Sequence, residues 1–127
     1  MARARGRALV IDGDASVRRG VARALAEREI EPLTAEDGAS GLALLGAQAV
    51  DVALVDVGRE GAGIDVAQAI AREHSGVAIV LVAAEGRAEI AIEAAWTIGA
   101  EVIRKPLDPP SIAALATARA MGIVLGD

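Results

Sequence analysis

The sequence predicts an α/β domain built on a parallel sheet with helices on both faces. Short apolar runs alternate with segments of helix length five times along the chain, and that rhythm produces parallel strands joined by helical crossovers. The middle run, Val52-Ala53-Leu54-Val55, is apolar at every position, as a strand buried on both faces must be. Asp56 follows it directly, Asp12 follows residues 8–11, and Lys105 follows Val102-Ile103-Arg104. In open α/β sheets the carboxyl ends of the strands carry the ligand site. These three ends are expected to meet, with Asp56 at the centre.

Taken in order, residues 8–11 form the first strand and Asp12-Gly13-Asp14 the turn after it. Asp14 or Ser16 caps a helix that runs to about Arg28. Val17, Val21 and Leu25 make its buried stripe, while Arg18, Arg19, Arg23, Glu27 and Arg28 take the other faces. Residues 31–35 form a weaker strand, and Pro32 suits a sheet edge. Asp37-Gly38 turns the chain into a short helix over 39–46 with Leu42 and Leu45 inward. After the central strand, Gly58, Gly61 and Gly63 loosen the loop. A helix from about Ile64 to Glu73 then turns Val66, Ala69 and Ile70 inward, and Ser75-Gly76 ends it. Residues 77–82 are the fourth and most hydrophobic strand. The fourth helix is expected over 85–98, burying Ile90, Ala94 and Ile98 with Ala91 alongside. Residues 102–104 are the fifth strand; Pro106 breaks the pattern. Asp108-Pro109-Pro110-Ser111 opens the last helix, where proline is tolerated, and it ends near Met121-Gly122. The crossovers should be right-handed. No repeat or internal linker divides the chain, so residues 1–127 read as one domain; Gly126 and Asp127 read as a frayed end or the start of a linker.

Composition narrows the function. At 54% hydrophobic residues a disordered chain is excluded, and with one Trp and no Tyr or Phe the core must be Ala, Val, Leu and Ile. A net charge of −5 argues against a nucleic-acid-binding face. Arg3, Arg5 and Arg7 form a short basic leader that reads as solvated. There is no Cys, hence no disulfide framework or thiol chemistry. The longest apolar run, residues 77–84, falls well short of the roughly 20 residues that span a bilayer. No signal-peptide core opens the chain, and a soluble cytoplasmic protein is expected. Twelve of the 13 basic residues are Arg; Lys105 is the one Lys, a compact ammonium where the rest of the chain uses planar guanidinium groups.

Asp12 and Asp56 at neighbouring strand ends make an acidic pair. Close carboxylates repel, which favours a bound divalent cation, and oxygen ligands of this kind suit Mg²⁺. Lys105 can balance an incoming phosphoryl group, and an Asp can itself accept one as an aspartyl phosphate. A different chemistry also fits the first turn. Asp12-Gly13-Asp14 has the Asp-x-Asp form of the haloacid-dehalogenase-like phosphatases, with Asp12 and Asp14 as the working acids. That chemistry wants a hydroxyl residue at a later strand end, where Ala83 stands, and a downstream acidic pair that the chain lacks. His74, the single His, reads as a charge partner for a helix C-terminus.

The residues Leu9-Val10-Ile11-Asp12, Arg18, Leu54-Val55-Asp56 and Lys105-Pro106-Leu107 carry a resemblance over essentially the whole chain. It resembles the receiver domain of bacterial two-component response regulators, and residues 77–107 align with that family without a gap. The resemblance implies a flavodoxin-like (βα)5 three-layer sandwich with strand order 2-1-3-4-5. It implies a regulatory domain in a phosphorelay, not an enzyme. Asp56 would take a phosphoryl group from a histidine kinase or phosphotransfer protein, and Lys105 would hold the phosphoryl oxygens. Mg²⁺ would sit at Asp12 and Asp56, with Asp14 a weak further ligand. A cis Lys105–Pro106 bond is typical of the family, although X–Pro bonds are mostly trans.

Departures from the family pattern qualify that reading. Gly13 stands where a second adjacent acid is usual, Ala83 where a Ser or Thr is usual, and Val102 where an aromatic switch residue is usual. Arg59-Glu60 replaces Met-Pro after the acceptor, and Gly99-Ala100 is offset by one residue. Weak Mg²⁺ binding and altered switching are expected. The alternative is a receiver used as an interaction or dimerisation module without phosphorylation. At about 100° per residue, Ile92 and Trp96 fall opposite the buried line of the fourth helix, with Glu85 and Glu89 beside them in solvent. Either Trp96 folds back over Ala95 and Ala100, or the pair anchors a partner. In receivers the face of the fourth helix, fifth strand and last helix is the usual homodimer or output surface.

Overall fold

A computed structural model describes residues 6–122. Arg3 and Arg5 of the basic leader, with Gly126 and Asp127, lie outside the described residues. The chain alternates strand and helix throughout: β1 Gly6–Ile11, α1 Ala15–Glu27, β2 Ile30–Ala35, α2 Gly38–Ala47, β3 Val52–Asp56, α3 Ala62–Glu73, β4 Ala78–Ala83, α4 Ala88–Ile98, β5 Glu101–Arg104 and α5 Pro109–Ala120. The five strands are parallel in the order β2-β1-β3-β4-β5. This is the expected flavodoxin-like sandwich, with Pro32 on the edge strand.

The apolar runs explain why β1, β3 and β4 lie inside the sheet. Side chains alternate across a strand, so a continuous run feeds both faces. Ala53 and Val55 join the core beneath α2, α3 and α4, while Val52 and Leu54 join the core beneath α1 and α5. Leu9 and Leu81 serve the first of these cores, Ala8 and Val80 the second. No helix among the described residues is long and apolar enough to cross a membrane.

Several boundaries and one buried face differ from the sequence reading. The fourth helix starts at Ala88 rather than residue 85, because Gly86 turns the chain at φ +90° first. Its buried side chains are Ala91 and Ala95; Ile90, expected inward, is 47% exposed. Ala94 and Ile98 pack only partly against the core. The inward stripe is therefore rotated toward the smallest side chains, which let the helix lie close to the sheet. Trp96 is 86% exposed, so it does not fold back over Ala95 and Ala100. On α1 the expected stripe holds, with Val21 and Leu25 buried and Val17 packed against the core.

Candidate functional site

Three strand ends build the site, and local hydrogen bonds fix each. At the end of β1, Asp12 is buried at 4% exposure. Its Oδ1 accepts from the Asp14 N–H at 2.9 Å, and Nη1 of Arg18 donates to its main-chain carbonyl at 2.6 Å. At the end of β3 the backbone continues in register, the Val57 N–H donating to the Val82 carbonyl at 2.9 Å. The Gly63 N–H, in the first turn of α3, donates to the Val57 carbonyl at 2.9 Å, tying the helix to the residue after Asp56. Past β5, the Lys105 N–H donates to the Ala83 carbonyl at 2.9 Å, and the Lys105–Pro106 peptide is cis.

These frames bring Lys105 Nζ to 3.1 Å from Asp56 Oδ1. Both side chains are partly exposed, so the pair stands at the surface of the site, open to a ligand. Asp12, Asp14, Asp56 and Lys105 line one open cleft of about 850 Å³. Burial pushes the Asp12 carboxyl above the ordinary carboxylate range, against the opposing hydrogen bond from Asp14; the negative charge of Asp56 raises it further. Asp14 is held the other way. It accepts from the Ser16 hydroxyl and main-chain N–H and from the Val17 N–H, and these bonds hold its carboxyl below the ordinary range.

Asp14 is thus the N-cap of α1, with Oδ1 committed to the helix. The Asp-x-Asp reading needs this carboxylate as a working acid, and the cap turns it away from that use. Among the described residues, no group of three or more His, Cys, Asp or Glu is arranged to hold a metal ion. Ala83 is fully buried in the core and presents no polar atom in place of a hydroxyl. His74 is the C-cap of α3, its N–H donating to the Ile70 carbonyl at 2.7 Å, and it does not line the cleft.

The sequence reading places three charged residues of the cleft elsewhere or nowhere: Arg59, Arg87 and Glu85, the last expected beside Trp96 on a helix that in fact begins only at Ala88. Arg59 and Arg87 line the cleft together with Glu85, so four carboxylates face three cations. A signal was present: the dipeptide Gly-Arg follows both β3 and β4, as Gly58-Arg59 and Gly86-Arg87. Each glycine takes a left-handed turn, at φ +79° and +90°.

Comparison with known proteins bears on this arrangement. A model of the response regulator receiver domain matches residues 8–117. The photosynthetic apparatus regulatory protein RegA of Rhodovulum sulfidophilum is 30% identical over 107 residues, covering 84% of this chain and 58% of RegA. The chain therefore spans little more than half of that relative. Among solved structures, the receiver domain of NtrX from Brucella abortus superposes with a TM-score of 0.79 at 28% identity, covering 91% of this chain and 98% of that one. A response regulator receiver domain protein from Clostridium thermocellum gives 0.81 at 25% identity over 92% and 94% of the two chains. The beryllofluoride-activated receiver domain of nitrogen regulatory protein C gives 0.77 at 31% identity over 96% and 97%.

Proposed function

As the chain belongs to the response regulator receiver domain family, we propose that it acts in phosphorelay signalling by accepting a phosphoryl group on Asp56 from a histidine kinase or phosphotransfer protein. The observation that carries this reading is the 3.1 Å pair of Asp56 Oδ1 and Lys105 Nζ at the mouth of the cleft. A carboxylate oxygen of Asp56 attacks the phosphorus of the donor. The new O–P bond forms as the bond from phosphorus to the donor's imidazole nitrogen breaks, and the nitrogen leaves with the electron pair. The Lys105 ammonium stays beside the carboxylate and offsets charge on the transferred oxygens.

The donor set also fits a hard divalent cation. Burial raises the proton affinity of Asp12 and the nearby charge of Asp56 adds to it; a cation relieves the repulsion between the two carboxylates. We assign a Mg²⁺ ion to Asp12 and Asp56; Asp14 adds charge from its capping position. When bound, the ion would offset the negative charge of the phosphoryl oxygens. The reading is tested by intact mass after incubation with acetyl phosphate and Mg²⁺. One added phosphate is expected, removed by hydroxylamine and absent in Asp56→Asn. No adduct on the unchanged chain would leave the phosphorylation-independent module as the better account.

Two carboxylates make a weak site, since affinity follows the number of charged ligands. Gly13 has room for another: a Cβ there meets nothing nearer than the Glu36 carbonyl at 3.9 Å. Gly13→Asp is expected to tighten Mg²⁺ on the order of tenfold or more, since an added charge at close range is worth a few kcal/mol at an effective dielectric of about 20. Calorimetry showing equal affinity would count against this.

The switch is expected to be local. A conformational change needs contacts that differ between its two states, and neither Ala83 nor Val102 offers a hydroxyl or a ring to move. Adding beryllofluoride, a phosphoryl mimic, should shift NMR resonances mainly around the cleft. Large shifts at Val102 and along α5 would refute a local switch.

For the partner surface, we infer that a second copy of the chain packs on Trp96. Trp96 and Ile92 border a shallow groove of about 480 Å³ that continues over Ala100 to Val102, and Trp is frequent among interface anchors. Sedimentation over a dilution series is expected to show a dimer at high concentration, with Trp emission moving to the blue as it forms. A monomer at all concentrations with red, unchanging emission defeats this inference.

A further inference from the structure

We propose that Arg59 and Arg87 form a pair of guanidinium anchors for the phosphoryl oxygens at Asp56, standing in for the hydroxyl that Ala83 cannot supply. The proposal rests on the reading of Asp56 as acceptor and assigns the groups that hold its product. Arg59 follows β3 and Arg87 follows β4, and these strands are neighbours in the sheet. The two residues therefore approach the cleft from adjacent strand ends, and both line it with Asp56 and Lys105.

Their surroundings leave the guanidinium groups available. Among the described residues, neither has an ion-pair or hydrogen-bond partner, although acidic side chains line the same cleft. Lys105, by contrast, is already paired with Asp56. Each arginine follows a glycine at positive φ, a backbone state that glycine adopts at little cost. That turn carries the chain off the strand end and sets the arginine at the rim.

The charge balance points the same way. Four carboxylates against three cations leave the cleft with one net negative charge. A transferred phosphoryl group brings roughly two more negative charges. With the arginines the site can take that charge; without them, four carboxylates would face a single ammonium. Guanidinium is suited to the task because its planar fork matches the geometry of phosphoryl oxygens. The buried methyl of Ala83 offers the oxygens no donor, so the anchors must come from the loops.

Calorimetry with Mg²⁺ alone, and with Mg²⁺ and beryllofluoride together, tests the proposal on the unchanged chain, on Arg59→Ala/Arg87→Ala, and on Arg23→Ala as a control on the exposed face of α1. The double variant is expected to bind beryllofluoride at least tenfold more weakly. It should bind Mg²⁺ alone as tightly as the unchanged chain or more so, because removing cations makes the cleft more negative. Arg23→Ala should change neither. These opposite signs separate anchoring from general damage. Beryllofluoride affinity within twofold of the unchanged chain overturns the proposal, and so does parallel weakening of both ligands. If the unchanged chain binds no beryllofluoride and takes no phosphate from acetyl phosphate, the assignment of Asp56 itself fails, and the anchors fail with it.

Discussion

Gly63→Ala is expected to cost about 3 kcal/mol of folding stability, at the upper end of what overpacking a filled site costs. That lowers the folding equilibrium constant on the order of a hundredfold. A Cβ on Gly63 would land on the carbonyl of Asp56 and stand 2.7 Å from Val57 Cα. Both obstacles are backbone, so no side-chain rotation relieves the clash. The first turn of α3 must lift away, stretching the bond from the Gly63 N–H to the Val57 carbonyl. Gly46→Ala is the internal control: it lies within α2 and a Cβ there meets nothing within 4 Å. Removing a glycine from an open helical position should stabilise by roughly 0.5–1 kcal/mol. Urea unfolding of both variants checks the pair. A loss below about 1 kcal/mol at Gly63 would mean that α3 yields without strain, and that the Asp56 backbone is not wedged against it.

Why so much of the fold could be read from the chain follows from the sheet. A strand buried on both faces needs apolar residues at consecutive positions, and β1, β3 and β4 have them. Asp12 and Asp56 stand out because each directly follows four consecutive apolar residues, 8–11 and 52–55, and Lys105 because it is the one lysine of the chain. The α4 face was misread because apolar periodicity weighs hydrophobicity and not size. Ile90, Ala94 and Ile98 make a stronger stripe on paper than Ala91 and Ala95, yet close approach to the sheet favours the small pair. The start of α4 was misplaced because Gly86 passes in sequence for a tolerated helical glycine, whereas its φ of +90° ends the turn before the helix.

Asp14 shows a different limit. By residue type it is equally a metal ligand and a helix cap; only the bonds from Ser16 and Val17 decide between them. Neither Arg59, which stands out only as half of the pair replacing Met-Pro, nor Arg87 reads as a site residue, because a chain with twelve arginines makes any one of them look ordinary. What distinguishes them is the shared glycine before each and the strand end before that, on two strands that the order 2-1-3-4-5 makes neighbours.

Lys105→Met is expected to slow phosphoryl acceptance from acetyl phosphate on the order of a hundredfold, the scale seen when one preorganised donor to a reacting oxygen is removed. The fold should barely notice. Lys105 and Asp56 are partly exposed, with side chains 33% and 19% accessible, and ion pairs in contact with water contribute about 1 kcal/mol or less. Methionine keeps much of the length and apolar stem of lysine and removes only the charge. The acceptor then lies beside buried Asp12 with no ammonium at 3.1 Å to offset either carboxylate or the arriving oxygens. Lys105→Arg should recover only part of the rate, because a wide planar fork cannot occupy the place of a point charge. The measurement is the initial rate of mass gain for the three chains, alongside urea unfolding to confirm that each remains folded. If Lys105→Met takes phosphate within threefold of the unchanged chain, Lys105 is only a structural partner of Asp56, and the charge that supports transfer must come from elsewhere in the cleft.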